Sequence, residues 1–444
     1  MRFALLCVLA AMLTASPARA QYPAPADSVA ATLDPASDDE ANQASDPDRV
    51  PYETETNLGA HVLALPATVW GGVAYLFRSL VLYAEYSGNI ERAERLLQNR
   101  PPVYALPTLS VGGREGLAGG LTVFATEGLL GGQRSGRIGG FYAADGSYAA
   151  SGRFNDGGLF GSPLRLLVSG GYERDAEERF FALGNDSDDD ELIDYAFEQG
   201  LAGMGFELPV GAHVRLGADG EFKHYEVTSF DEEGGTPFPA DSVAGFGGAD
   251  FLSAGATFVL DFSRAGGLYA PRTVGGTELI LGVRYGTDVS AAPAGGPLGY
   301  LRTSAEVRQF VPVPFLAPER RLALRARLVR VNAPGGDTVP FYELATLGGP
   351  DDLRGFRFDR FRDQGSLLVT AEYRWPIFNT FDAVLFTDAG QVFDDFEEIG
   401  LEEFHFDFGG GFRVFGAGGV AARVELAFSP EGPPRLIAQV GTSF

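Results

Sequence analysis

The residues best placed to do chemistry in this chain are one arginine and two carboxylates. Leu353-Arg354-Gly355-Phe356 lies in a polar stretch, and two alternating runs follow it, at 366–378 and 382–393. Alternation puts Glu372 and Asp388 on the polar faces of those runs. A guanidinium is a planar fork of donors that engages a carboxylate through two parallel bonds. In a partly dehydrated interior, Glu372 and Asp388 would be like charges facing each other. Arg354 relieves that repulsion, and Phe386 and Phe356 can pack over its flat faces. Gly348, Gly349 and Gly355 give the surrounding segment positive φ and close backbone approach. The chemistry this predicts is the pinning of a loop. The loop, 333–365, is too long to be an idle turn.

Bond-making chemistry has thinner support. The histidines are His61, His213, His224 and His405, and none lies in a His-Glu-x-x-His or Gly-x-Ser-x-Gly context. His405 shares a strand face with Glu403 and Asp407 in the sequence pattern, which would suit acid–base work in a barrel hydrolase. The acidic run Asp186 to Glu191 lacks the ordered spacing of an EF-hand. No glycine loop precedes a helix in a way that would cradle phosphate. The expectation is a non-enzyme with no metal and no cofactor.

The ends and the composition bound the elements that carry these residues. Residues 1–20 have the form of a secretory signal: Arg2, an apolar run from Ala4 to Leu13, and Ala18-Arg19-Ala20 before Gln21. The one cysteine, Cys7, falls inside it, so the mature chain is expected to have no disulfide and no thiolate site. Formal charge is −25, and −27 once Arg2 and Arg19 leave. Such a surface repels nucleic acid, whose binding relies on Lys and Arg neutralising phosphates. With 60 glycines, 12% aromatics and no clean apolar run of about twenty residues after residue 20, the chain is either soluble or crosses a membrane as strands.

Residues 21–60 read as a disordered acidic linker. Residues 61–102 read as an amphipathic helical segment, with Val69, Val73, Leu76, Phe77 and Leu80 at helical spacing. From 103 to 444 period-two alternation dominates. Arg321-Leu322-Ala323-Leu324-Arg325-Ala326-Arg327-Leu328 sets arginines against leucines, and Glu403 to Phe408 sets three polar side chains against three phenylalanines. Sixteen strand cores begin near residues 104, 116, 136, 147, 164, 193, 211, 252, 276, 299, 320, 366, 382, 403, 419 and 434. An even number at this spacing predicts an all-β fold, a sixteen-stranded antiparallel transmembrane β-barrel, with the long loop folded inward between the eleventh and twelfth strands. Short connections such as Ala144-Asp145-Gly146 and Pro430-Glu431-Gly432 are expected at the periplasmic rim, and long ones such as 175–192 and 227–250 outside. At the carboxyl end, Gly441 and the terminal Phe444 close an alternating run. A terminal Phe after such a run resembles the signal read by outer-membrane assembly machinery.

Four segments, in order and spacing, resemble the BamA/TamA family of outer-membrane assembly barrels. They are Arg179-Phe180-Phe181-Ala182-Leu183-Gly184-Asn185-Asp186; Leu347-Gly348-Gly349 with Leu353-Arg354-Gly355-Phe356; Glu372-Tyr373-Arg374-Trp375-Pro376; and Phe386-Thr387-Asp388-Ala389-Gly390. The resemblance implies residence in a Gram-negative type of outer membrane and contact with its lipids. It also implies insertion or translocation of unfolded client proteins at a lateral seam between the first and last strands, here Tyr104 to Val111 against Arg435 to Phe444. No POTRA module is apparent in residues 21–102, so the chain reads as a short member of the family. The alternative is a passive or gated pore, or a lipid conduit, in which the loop plugs the lumen.

Overall fold

The computed structural model describes residues 102–440, apart from the short segments 114–115, 188–192, 230–242, 267–271, 291–295, 314–319, 379–380 and 417–418. The expected signal, linker and amphipathic segment, and the terminal Gly441 and Phe444, lie outside the described residues. The strands are β1 (Val103–Gly113), β2 (Gly116–Ala125), β3 (Arg134–Ala143), β4 (Tyr148–Asp156), β5 (Arg165–Phe180), β6 (Ile193–Val210), β7 (Val214–Ser229), β8 (Ala249–Asp261), β9 (Arg264–Gly266) and β10 (Arg272–Asp288). They continue with β11 (Gly299–Pro312), β12 (Arg321–Asn332), β13 (Ala345–Leu347), β14 (Phe361–Asp363), β15 (Gly365–Phe378), β16 (Phe381–Phe393), β17 (His405–Gly416), β18 (Gly419–Phe428) and β19 (Arg435–Val440).

Sixteen of these form a ring. Each long strand pairs antiparallel with its neighbour in sequence, β8 passes directly to β10, β12 to β15, and β19 returns to β1 at Val111↔Ala438. The three short strands stand outside that count. β9 pairs with the start of β10, and β13 with β14 inside the long loop. Each expected strand start falls within four residues of the observed one. The fold is the sixteen-stranded antiparallel barrel.

Alternation sets the two faces. On β12, Arg321 and Arg325 are buried while Leu324 is exposed; on β17, Asp407 is buried while Phe406 and Phe408 are exposed. A soluble sandwich would bury the leucines and phenylalanines. Here the apolar face is the outer one, as a barrel wall in lipid requires.

One expectation is corrected. Connections that follow odd-numbered members of the ring all lie at one rim. Both short turns, Ala144–Gly146 and Pro430–Gly432, therefore share the rim of the long loops. Hydrogen bonds from Ser429 and to Glu431 reach the long loop itself. The opposite rim carries a single-turn helix (Glu127–Leu130) and the turn at 157–164. Two loops are also shorter than expected, because β5 runs to Phe180 and β7 to Ser229.

Candidate functional site

The loop between β12 and β15 folds into the ring because it is amphipathic. After a 3-10 turn at Phe341–Glu343, β13 and β14 form a small antiparallel ladder whose tip is residues 348–360. Leu347, Leu353, Phe356 and Phe361 of the loop cluster with Leu368 of β15 and Val392 of β16. Burying such side chains contributes about 1.5–3 kcal/mol each. The tip needs glycine at 348: φ is 119°, and a Cβ there would meet the Arg357 carbonyl oxygen at 2.2 Å. Gly349 also takes positive φ.

This packing carries Arg354 to the inner wall, where it is 2% exposed. Its Nε and Nη2 donate to Asp388 Oδ2 and Oδ1 at 2.7 and 2.9 Å. Nη1 donates to Glu372 Oε1 at 2.7 Å and Glu425 Oε2 at 3.3 Å. The guanidinium carbon sits 3.5 Å from the centre of the Phe386 ring. That ring has room because its cross-strand partner is Gly409, where a Cβ would meet Phe386 Cζ at 2.4 Å. The next residue continues the pinning. Gly355 N donates to Asp407 Oδ2 at 2.8 Å, and Ser429 Oγ donates to the Gly355 carbonyl at 2.8 Å.

Four consecutive strands, β15 to β18, thus each supply one acid: Glu372, Asp388, Asp407 and Glu425. Three wall arginines balance them beside Arg354. Arg374 and Arg413 donate to Glu372, and Arg413 also donates to Glu425. Arg423 lies 3.8 Å from Glu425 and donates to Asp351 of the loop at 2.6 Å. Buried charges are costly unless paired, and each of these acids has an arginine or a backbone N–H within hydrogen-bond reach.

The predicted residues Arg354, Glu372, Phe386 and Asp388 come together. Phe356 does not stack on Arg354 as expected; its ring meets Phe361 at 5.3 Å and His405 at 5.8 Å. Glu425 and Arg413 were missed, although the alternation of Arg423-Val424-Glu425-Leu426 marks Glu425 as inward. The face expected to carry Glu403, His405 and Asp407 together is likewise corrected. The His405 ring stacks on Phe361 at 3.9 Å and Nε2 meets the Asn185 carbonyl oxygen at 3.0 Å. Glu403 is exposed at the end of a 3-10 turn, off the strand and off the shared face. Among the described residues, no group of three or more His, Cys, Asp or Glu is set to hold a metal ion.

The loop has further attachments that the sequence did not reveal. Glu343, 4% exposed, accepts from Tyr225 at 2.7 Å and Lys223 at 3.3 Å, both on β7. Around it Phe341 and Leu344 join an aromatic cluster with Tyr195, Phe251 and Tyr300 of the wall. Arg360 forks onto Glu431 at 2.9 and 3.0 Å and also bonds Ser187. Asn185 ties the neighbouring loop down, donating to the Glu403 carbonyl and accepting from Val392 N. The arrangement fastens one loop to opposite sides of a closed wall.

Comparison with known proteins agrees with this architecture. Residues 275–418 match the Omp85 superfamily domain, and three of the four segments that carry the family resemblance lie inside that span. BamA from Haemophilus ducreyi lacking POTRA domains 1-3 superposes with a TM-score of 0.53 at 13% identity, covering 76% of this chain and 69% of that one. CdiB from Escherichia coli gives a TM-score of 0.51 at 12% identity, covering 77% of this chain and 62% of that one. The chain therefore spans less than two thirds of the length of CdiB. At such identities the likeness is one of fold. No curated protein matches the chain.

Proposed function

We propose that this chain, with its Omp85 superfamily domain, is an outer-membrane barrel that promotes insertion or translocation of client proteins at the seam between β1 and β19. The observation that carries the reading is where the ring closes: its first and last strands, β1 and β19, are the pair that completes it, meeting antiparallel at Val111↔Ala438. No covalent turn joins them within the ring, so opening there frees two strand edges, and a freed edge is a template on which an incoming strand can add. The rim of long loops faces outward in this reading, and the rim of the Glu127–Leu130 helix faces the periplasm. Arg354 and its acids hold the loop in place and perform no bond chemistry.

The test uses the register itself. Val111 and Ala438 are cross-strand partners, the separation at which paired cysteines form a disulfide. The expected result is that Val111→Cys with Ala438→Cys, oxidised, stops client insertion into liposomes, and that reductant restores it. Undiminished insertion by the oxidised barrel refutes the reading.

A gated pore is the second reading, favoured by the fastening of the loop to opposite walls. Conductance across a planar bilayer, without any effect on barrel assembly in liposomes, would select it.

A further inference from the structure

Arginines on the inner faces of the other strands hold carboxylates. Arg215, Arg284, Arg308, Arg325, Arg374 and Arg413 each pair with at least one Asp or Glu. Arg137 on β3 and Arg153 on β4 depart from this. They are direct cross-strand partners, and both are exposed. Their neighbours in sequence fix the face: Ile138 is 72% exposed on the outer surface, so Arg137 points to the lumen, and its partner with it. Among the described residues no carboxylate pairs with either, in a chain carrying 25 net negative charges. Like charges directly opposite each other in a sheet are destabilising, by a few tenths of a kcal/mol up to about 1 kcal/mol.

The same inner row continues toward the seam. Phe124 on β2 is the cross-strand partner of Arg137, and Tyr104 on β1 is the partner of Phe124. The Tyr104 and Phe124 rings stack at 5.0 Å with an interplanar angle of 11°. Two aromatic rings and two unpaired guanidinium groups therefore lie in line across β1 to β4, at the rim opposite the long loops. Strands lie about 4.8 Å apart, so the centre of the arginine pair and that of the ring pair are roughly 10 Å apart. In an extended chain that distance lies roughly between the spans of two and of four residues, the spacings that share a face.

We infer that this row is a receiving site for an extended acidic peptide segment: Arg137 and Arg153 together take a carboxylate, and Tyr104 and Phe124 take an apolar side chain two or four residues away on the same face. A peptide fits better than a lipid because the row lies on the lumenal face, whereas acyl chains meet the outer one. The inference rests on the client-insertion reading, since it names a feature of the segment that enters beside the seam.

The experiment is fluorescence anisotropy on the purified full-length barrel in detergent. The probes are labelled peptides Gly-Glu-Thr-Glu-Thr-Phe-Thr-Phe and the same sequence with Gln for Glu. The Glu peptide is expected to bind more tightly by up to about fivefold, the upper range for an exposed ion pair. That preference is expected to fade between about 50 and about 300 mM salt. It should vanish in the Arg137→Gln, Arg153→Gln double variant, whose exposed positions leave folding intact by heat-modifiable migration. Equal binding of the two peptides, or an unchanged preference in the variant, overturns the inference. Displacement of the Glu peptide by millimolar inorganic phosphate overturns it too, by making the pair a phosphate site. Binding is read without insertion, so a barrel that prefers the Glu peptide but inserts no client refutes only the client-insertion reading.

Discussion

Replacing Arg354 with alanine tests the pinned loop most directly, and its cost can be worked from the geometry. Glu372 and Glu425 keep Arg413, and Glu372 also keeps Arg374. Asp388 is in a different position, because Arg354 is the cation whose fork it accepts, and Asp388 is 0% exposed. Its direct cross-strand partner is Asp407, also buried, whose hydrogen bond comes from the neighbouring Gly355 N. Alanine at 354 thus leaves Asp388 buried without its cation. Orphaning a buried charge in this way costs about 3–5 kcal/mol. That corresponds to roughly two to nearly four orders of magnitude in the population of the released loop. The wall itself should persist, since its ladders and the Arg374 and Arg413 pairs are untouched. Heat-modifiable migration of the folded barrel is expected to shift to lower temperature, and proteinase K is expected to cut near residue 350. Arg354→Lys, with charge but no fork, should fall between alanine and wild type. Adding Asp388→Asn to Arg354→Ala should recover part of the loss, because the charge left without a cation at 388 is then removed. Wild-type behaviour of Arg354→Ala in both assays would refute the reasoning.

Other substitutions separate the attachments. Gly355→Ala places a Cβ 2.7 Å from that of Asp407 and 2.8 Å from that of Ser429, so the tip must retreat; increased proteolysis near residue 350 with Arg354 intact is the expected readout. Glu343→Gln keeps an acceptor for Tyr225 but loses the charge facing Lys223, which retains Glu221 at 3.2 Å. A loss of about 1.5–3 kcal/mol is expected, the worth of a hydrogen bond to a charged group, seen as a smaller drop in heat-resistant migration than that of Arg354→Ala. Combining Glu343→Gln with Arg354→Ala should raise single-channel conductance beyond either change alone, because the loop is then released from both walls.

Much of this architecture was legible in the chain. Period-two alternation is a local property, so the number of strands, their starts and their inward faces follow from residues a few positions apart. The same alternation put Arg321 and Arg325, Glu372 and Asp388 inside. Arg354 could be matched to Glu372 and Asp388 because all three lie on one loop and the two strands after it, where the chain has little freedom to bring other partners. What the sequence could not decide was pairing across the ring. Glu425 reaches the same arginine, and Asp407 the Gly355 amide beside it, only because closure and stagger bring β17 and β18 to the height of the loop tip. Glu343 finds Tyr225, 118 residues away, only once the loop has crossed the lumen. His405 shares a strand face with Asp407 in the alternating pattern, yet its ring is taken up by Phe361 and Asn185. Strand identity depends on neighbours along the chain. The choice of partner for a buried charge depends on curvature and on which loop fills the interior, and the tertiary structure alone supplies both.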